Sequence, residues 1–398
     1  MNRLQEKIID NIFLVSLVLL FLYAFWYQFA FQPISGAMNI LGITVLLMAC
    51  ICVRLDWTFY RYITDIFGFI IYVIVFTLVA ENPLESYKIV FDIVQYTIPM
   101  IGIYIYVAGH IQRFYNILYA ISLAVVLLAA SSFLHGNITN TGAISVGSLN
   151  TNVFSSYLMI ALAANLLLLF CSETYLWQKI YLVLGIIVFF SAQINVASRR
   201  GIIVFALLFL GCLYSFIKIK YKKNIIVHIT VILILILFFL YFFNSYLGKM
   251  SDLLIFQRFM ERNNAGDIIR KKLQREAINI LSSYPLFGGG LGIVEVHAGM
   301  YSHSMYYELL ACTGTVGFFL MITILFKRIC FFIKCQLKNL LIAPKMQVFN
   351  SIFIWLMLSL FIAGYAVVFI YDMYFYVLLG IIFSAQIIIH KENVSKVY

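Results

Sequence analysis

The feature that most constrains this chain is the length of its apolar runs. Twelve of them, at 11–31, 37–53, 62–80, 88–108, 113–134, 151–171, 178–197, 201–217, 224–244, 304–326, 347–369 and 373–389, are each apolar enough for one membrane crossing. A helix needs about 20 such residues to span the hydrocarbon core. With no water there to satisfy backbone groups, only helices and closed barrels cross a bilayer. A barrel would show short alternating segments, and these runs do not alternate. Hydrophobic residues make up 64% of the chain and charged residues 11%. Soluble domains average about 45–50% and about 25%, so a soluble globular fold is excluded, and disorder with it. The expectation is an all-α polytopic membrane protein: one integral membrane domain over residues 1–398, with about twelve transmembrane helices. The first run has no small-residue cleavage site near its end and reads as a permanent helix. The seventh and eighth are joined only by Ser198, Arg199 and Arg200.

Orientation follows from Lys and Arg in the short loops. With the N-terminus inside, 17 of the 27 basic residues fall on the inner side. The other ten are Lys88, Arg199, Arg200, Lys249, Arg258, Arg262, Arg270, Lys271, Lys272 and Arg275. Most of the net charge of +11 is therefore topology signal beside anionic headgroups. No soluble basic domain exists to bind nucleic acid. The seven cysteines show no zinc-finger spacing and none lies in the long outer loop, so they read as thiols.

That one long loop, residues 245–303, lies outside between helices 9 and 10 and reads as a cap. Within it, 268–283 has helical periodicity, with Ile269, Leu273, Ala277 and Ile280 or Leu281 on one face and Arg270, Lys271, Lys272 and Arg275 around it. Such a helix suits the bilayer interface. One of its cations could equally hold a phosphate. The following Gly288, Gly289, Gly290 and Gly292 permit a tight turn, but no strand precedes them as in a phosphate loop.

Two outer features ask for a ligand. Arg199 and Arg200 sit against the positive-inside bias, at a tight turn between spans, and guanidinium suits phosphate through its fixed fork of donors. His303 opens the tenth span on the same face, where an imidazole could take a proton from a hydroxyl. Tyr307 lies one turn below it. Glu308, further in, reads either as a ligand group or as a structural partner of an arginine or histidine. Asp65, Asp92 and Asp372, at span ends, read as boundary or packing charges. The residues describe a cationic site near a base at the outer leaflet, suited to a lipid-linked phosphate ester.

Several stretches resemble the O-antigen ligase and polymerase superfamily. Asn195 to Val204, with Ser198-Arg199-Arg200-Gly201, resembles its Ser-Arg motif. Gly266-Asp267-Ile268-Ile269-Arg270 resembles its outer-loop arginine element, and Tyr284-Pro285-Leu286-Phe287-Gly288 through Gly292 its Pro-Leu-Gly turn. Ser302-His303-Ser304 through Gly314 and Gly317 resembles its histidine segment, and Leu149-Asn150-Thr151-Asn152 a common Asn-Pro-Asn helix start. The likeness covers roughly 145–325 with the motifs in order. Ser304, Arg200 and Thr151 depart from the usual residues.

The resemblance implies a GT-C-like helical fold and a metal-independent, inverting glycosyltransferase with no cofactor. It implies Arg199 and Arg270 on the diphosphate and His303 on the acceptor hydroxyl as the catalytic residues. Arg200, Lys272, Tyr307, Glu308 and Asn152 would be secondary contacts to diphosphate or glycan. The donor would be an undecaprenyl-diphosphate-linked oligosaccharide. The partners would be membrane lipid and a candidate chain-length regulator protein, in the bacterial cytoplasmic membrane with the site facing outward. Polymerisation of capsule, O-antigen or exopolysaccharide repeat units is the first expectation. A ligase would differ only in its acceptor. A lipid-linked oligosaccharide flippase is the alternative of another class, but it should show related halves and a charged central cavity. The unexplained cations lie on one face instead.

Overall fold

The computed structural model describes residues 3–26, 37–52, 62–135, 137–138, 144–145, 151–196, 198–221, 265–338, 340–341 and 343–394. Eight helices lie in its first part: α1 (Arg3–Trp26), α2 (Ala37–Cys52), α3 (Thr64–Thr77), α4 (Pro83–Val107), α5 (Ile111–His135), α6 (Thr151–Cys171), α7 (Leu176–Val196) and α8 (Arg199–Lys220). From residue 265 onward come α9 (Ala265–Ser283), α10 (Ile293–Ala298), α11 (Met305–Leu337), α12 (Pro344–Ala363), a 3-10 turn (Phe369–Tyr371) and α13 (Met373–Val394). A two-residue antiparallel bridge, Asn137–Ile138 against Ile144–Ser145, lies between α5 and α6.

Eight helices among the described residues are long and apolar enough to cross a membrane: α4 to α8 and α11 to α13. The chain is an all-α, multi-pass membrane protein. The first three expected spans appear as helices whose described apolar stretches are shorter, and the expected span 224–244 and loop residues 245–264 lie outside the described residues. Local signals set several ends. Pro83 occupies the first turn of α4, where its missing N–H costs nothing, and the Asn82 side chain accepts from Glu85 N–H at 3.3 Å. Ser198 separates α7 from α8 as an N-cap.

Burial ranks the helices. The apolar windows of α13 and α6 are 94% and 89% buried, whereas that of α7 is 33% buried, so α6 and α13 are the centre and α7 faces outward. α13 packs on α4, and α6 on α5, α7, α8 and α12. In lipid, close packing and satisfied polar groups hold helices together, not expulsion of water. Asn165 Nδ2 donates to Leu182 O at 3.1 Å, Asn350 Nδ2 to Phe332 O at 2.9 Å, and Trp355 Nε1 to Ser215 Oγ at 3.0 Å. At the end of the bundle away from His303, buried Arg328 on α11 pairs with Asp65 on α3 and donates to Gln386 on α13 at 3.0 Å. Asp65 is thus a packing charge, as expected.

Candidate functional site

The site starts where α8 begins. Ser198 Oγ accepts from Gly201 N–H at 3.1 Å and donates to Asn152 Oδ1 at 2.7 Å. The motif at 149–152 and the Ser-Arg motif, 46 residues apart, therefore meet through one hydroxyl. Close approach is needed here: a Cβ at Gly201 would stand 2.3 Å from Ser155 Oγ on α6. Asn152, Ser155, Ser156, Ser198 and Arg200 line a cleft closed by Ala363 at the end of α12 and by Ala366 and Val367 just beyond it, with a volume of about 20 Å³. That admits a water molecule and no diphosphate, and Arg200 beside it is partly exposed. The Arg200 guanidinium lies 5.3 Å from the Tyr365 ring centre, and its Nη1 donates to Tyr365 O at 3.4 Å. Arg199 takes the first position of α8; its side chain lies outside the described residues.

His303 is presented by a clamped turn. Its φ is +56°, in the left-handed region that few residues other than glycine adopt. Such a conformation persists only where the surroundings enforce it. They do so on both sides. Ser302 N–H donates to Glu308 Oε2 at 2.7 Å, and Met305 N–H donates to Gly364 O at 2.8 Å and Val367 O at 3.1 Å. Tyr371 OH donates to the other Glu308 oxygen at 3.0 Å, and Cys312 Sγ approaches it at 3.6 Å. Glu308 is fully buried with both oxygens engaged. This corrects its reading as a substrate contact: it is a structural partner, though of a backbone N–H and a tyrosine, not of an arginine or histidine. Glu308→Ala should cost about 1–3 kcal/mol for each donor it orphans. Thermal unfolding in detergent would show this, and an unchanged Tm would refute the clamp.

The His303 ring contacts the Tyr301 ring at 4.5 Å between centroids. Burial, then the positive fields of Arg270 and Arg200, hold its pKa down to about 4. The imidazole is therefore neutral at neutral pH. The positive fields of two cations from distant parts of the chain thus reach His303.

Arg270 reaches this point because α9 docks on α10 and α11. Leu273, Ala277 and Ile280 are buried and Arg270, one turn before Leu273, is partly buried, whereas Lys271, Lys272 and Arg275 are exposed. Two expectations change. Ile269 is 50% exposed and does not belong to the packed face, and α9 rests on protein along its apolar stripe as well as facing outward. Lys272 points away from the buried face on which Arg270 lies. Tyr307 packs its ring against the core.

The glycine run does something that spacing alone did not reveal. α11 breaks at Gly314 (φ +63°, ψ −170°). The break frees carbonyls and N–H groups that a continuous helix would pair. The glycine loop fills both sets: Gly289 N–H donates to Ala311 O at 2.9 Å and Gly290 N–H to Cys312 O at 3.0 Å. In return Thr315 N–H donates to Pro285 O at 3.0 Å and Val316 N–H to Leu286 O at 3.1 Å. Tyr72 OH, from α3, donates to the next carbonyl, Thr313 O, at 2.6 Å. The loop is a backbone seat for the first segment of α11, and the N–H groups of Gly288, Gly289, Gly290 and Gly292 are occupied by protein, not free for phosphate.

Sequence reasoning also missed His297. Its Nε2 lies 2.8 Å from Glu81, at the α3–α4 turn, and its Nδ1 3.4 Å from Glu276 on α9. The hydrogen bond to Glu81, helped by Glu276 and opposed by slight burial, raises its pKa. A raised folded pKa means that protonation favours the docked cap. The stabilisation is full below the ordinary value near 6.5 and fades as pH rises through the folded value. Proteolysis within α9 and α10 should therefore accelerate above neutral pH in the natural protein and lose that pH dependence in His297→Ala. Identical pH profiles would remove His297 from cap docking.

No protein-family model and no curated protein sequence matches this chain.

Proposed function

We propose that this protein is a metal-independent glycosyltransferase that polymerises undecaprenyl-diphosphate-linked oligosaccharide repeat units at the outer face of a bacterial cytoplasmic membrane. One observation carries the reading: the positive fields of Arg200, which lines a small cleft, and of Arg270, from elements 70 residues apart, both reach His303. Preorganised cations suit charge that develops on a leaving diphosphate. The acceptor hydroxyl oxygen attacks the anomeric carbon, the bond from that carbon to the diphosphate oxygen breaks, and the diphosphate leaves with the electron pair. The hydroxyl proton passes to His303 and then to water. Arg270 and the Arg199–Arg200 pair hold the diphosphate.

The depressed pKa of His303 fits this order of events. An imidazole that titrates near 4 is a weak base. A diphosphate between Arg200 and Arg270 offsets part of the field that weakens it, so basicity rises when the donor is bound. Arg270→Lys should lower turnover about 100-fold, because the fork and not the charge is needed, while Lys271→Ala stays near wild type. Equal losses would indicate a merely basic surface.

The testing experiment uses the full chain in lipid nanodiscs with lipid-linked repeat unit as the sole substrate and resolves products on a gel. A ladder supports polymerisation. Transfer only after a second acceptor is added would replace it by ligation, and translocation without transfer would replace both by a flippase.

A further inference from the structure

The C-terminal end of α12, like every helix end, leaves carbonyl groups without intrahelical partners. The turn at 363–367 points its own N–H groups back into the helix: Gly364 N–H donates to Leu360 O at 2.9 Å, Ala366 N–H to Ala363 O at 2.8 Å and Val367 N–H to Ala363 O at 3.1 Å. Its carbonyls are taken by two elements that are distant in sequence. The first N–H of α11, at Met305, donates to Gly364 O and Val367 O and so holds the His303 turn. Between those two acceptors, Tyr365 O accepts from Arg200 Nη1 at the start of α8. One short turn thus grips the His303 segment and Arg200 at adjacent residues. The negative end of the α12 dipole favours a cation there.

Tyr365 gives Arg200 a second hold. The guanidinium lies over its ring, 5.3 Å from the centre, within the range of a cation–π contact. The ring does nothing comparable for the core, since it is 50% exposed and is not packed on the apolar cluster. Ala363, Ala366 and Val367 of the same turn line the cleft with Arg200, so the contact belongs to the candidate site and not to a remote surface. An arginine side chain has much rotamer freedom, and a fork ordered before its ligand arrives loses less on binding.

We infer that Tyr365 is a positioning residue for Arg200: its ring and carbonyl hold the guanidinium against the turn that also carries the His303 segment, ordering the phosphate-binding cation before the substrate arrives. The inference rests on the function proposed above, which places a diphosphate at Arg200. A tyrosine that only anchors a helix end among lipid headgroups would act independently of Arg200, and the test reads that dependence.

The full chain in nanodiscs is titrated with undecaprenyl diphosphate, and a melting curve is recorded for each variant. Tyr365→Leu removes the ring and keeps the carbonyl. It should bind about 5-fold more weakly, the size of a partly exposed cation–π contact, with an unchanged Tm. Tyr365→Phe keeps the ring and should bind like the natural protein. In an Arg200→Gln background, Tyr365→Leu should cost nothing further. Natural-like binding by Tyr365→Leu overturns the inference, as does an equal loss in Tyr365→Phe. A further loss of similar size in the Arg200→Gln background, or a lowered Tm in Tyr365→Leu, shows an independent structural role and overturns it too. Each of these results leaves the proposed function standing. Failure of the natural protein to bind the probe, or natural-like binding by Arg200→Gln alone, overturns the place of Arg200 in the proposed function and this inference with it.

Discussion

His303→Ala is expected to lower transfer by about 1,000-fold or more, in the range general-base removal produces, with the protein still folded and inserted. The reason lies in how the turn is built. The contacts that clamp it come from the backbone of Ser302 and Met305 and the side chain of Glu308, not from the imidazole. Removing the ring leaves that clamp in place and releases a left-handed backbone position that alanine fills at modest cost. His303→Ala should thus separate activity from stability, whereas Glu308→Ala should lose both. The measurement is turnover on lipid-linked repeat unit beside a melting curve for each variant. Turnover of His303→Ala within a few-fold of the natural protein would take the imidazole out of the mechanism.

The second large effect is on folding. Gly314→Ala should destabilise the chain by on the order of 3–5 kcal/mol, combining a backbone conformation almost reserved for glycine with disrupted hydrogen bonds. A Cβ there would stand 2.3 Å from Leu286 O, inside the four-bond exchange that seats the glycine loop. The neighbouring backbone cannot move aside without breaking that exchange. Gly68→Ala is the matching control. Gly68 sits in α3, and a methyl group added there would meet nothing within 4 Å, so alanine should be neutral or slightly stabilising. Similar melting temperatures for both variants would refute the seat as a structural necessity. The seat also has a functional consequence. It joins the segment after α9, which carries Arg270, to the helix that His303 precedes, so a loosened seat should raise KM for the lipid-linked substrate before the protein unfolds.

The solvent of this protein and the class of its fold were legible in the sequence. Apolar run length is a local property, and a bilayer permits few other responses to it. The break between helices at Ser198 and the helix over 268–283 were legible for the same reason. Each follows from residues within a few turns of one another. Partnership, by contrast, was settled by the tertiary structure. Asn152 finds Ser198, Tyr72 finds Thr313 and Glu81 finds His297, across 46, 241 and 216 residues. No periodicity encodes such pairs. Glu308 could not be read as the anchor of the His303 turn until Tyr371 was brought to it, nor could Arg270 be told from Lys271 and Lys272 until α9 had docked. Asp65 is the clearest case. An acid at a span end became a paired packing charge, because a charge taken out of water is defined by what folds against it.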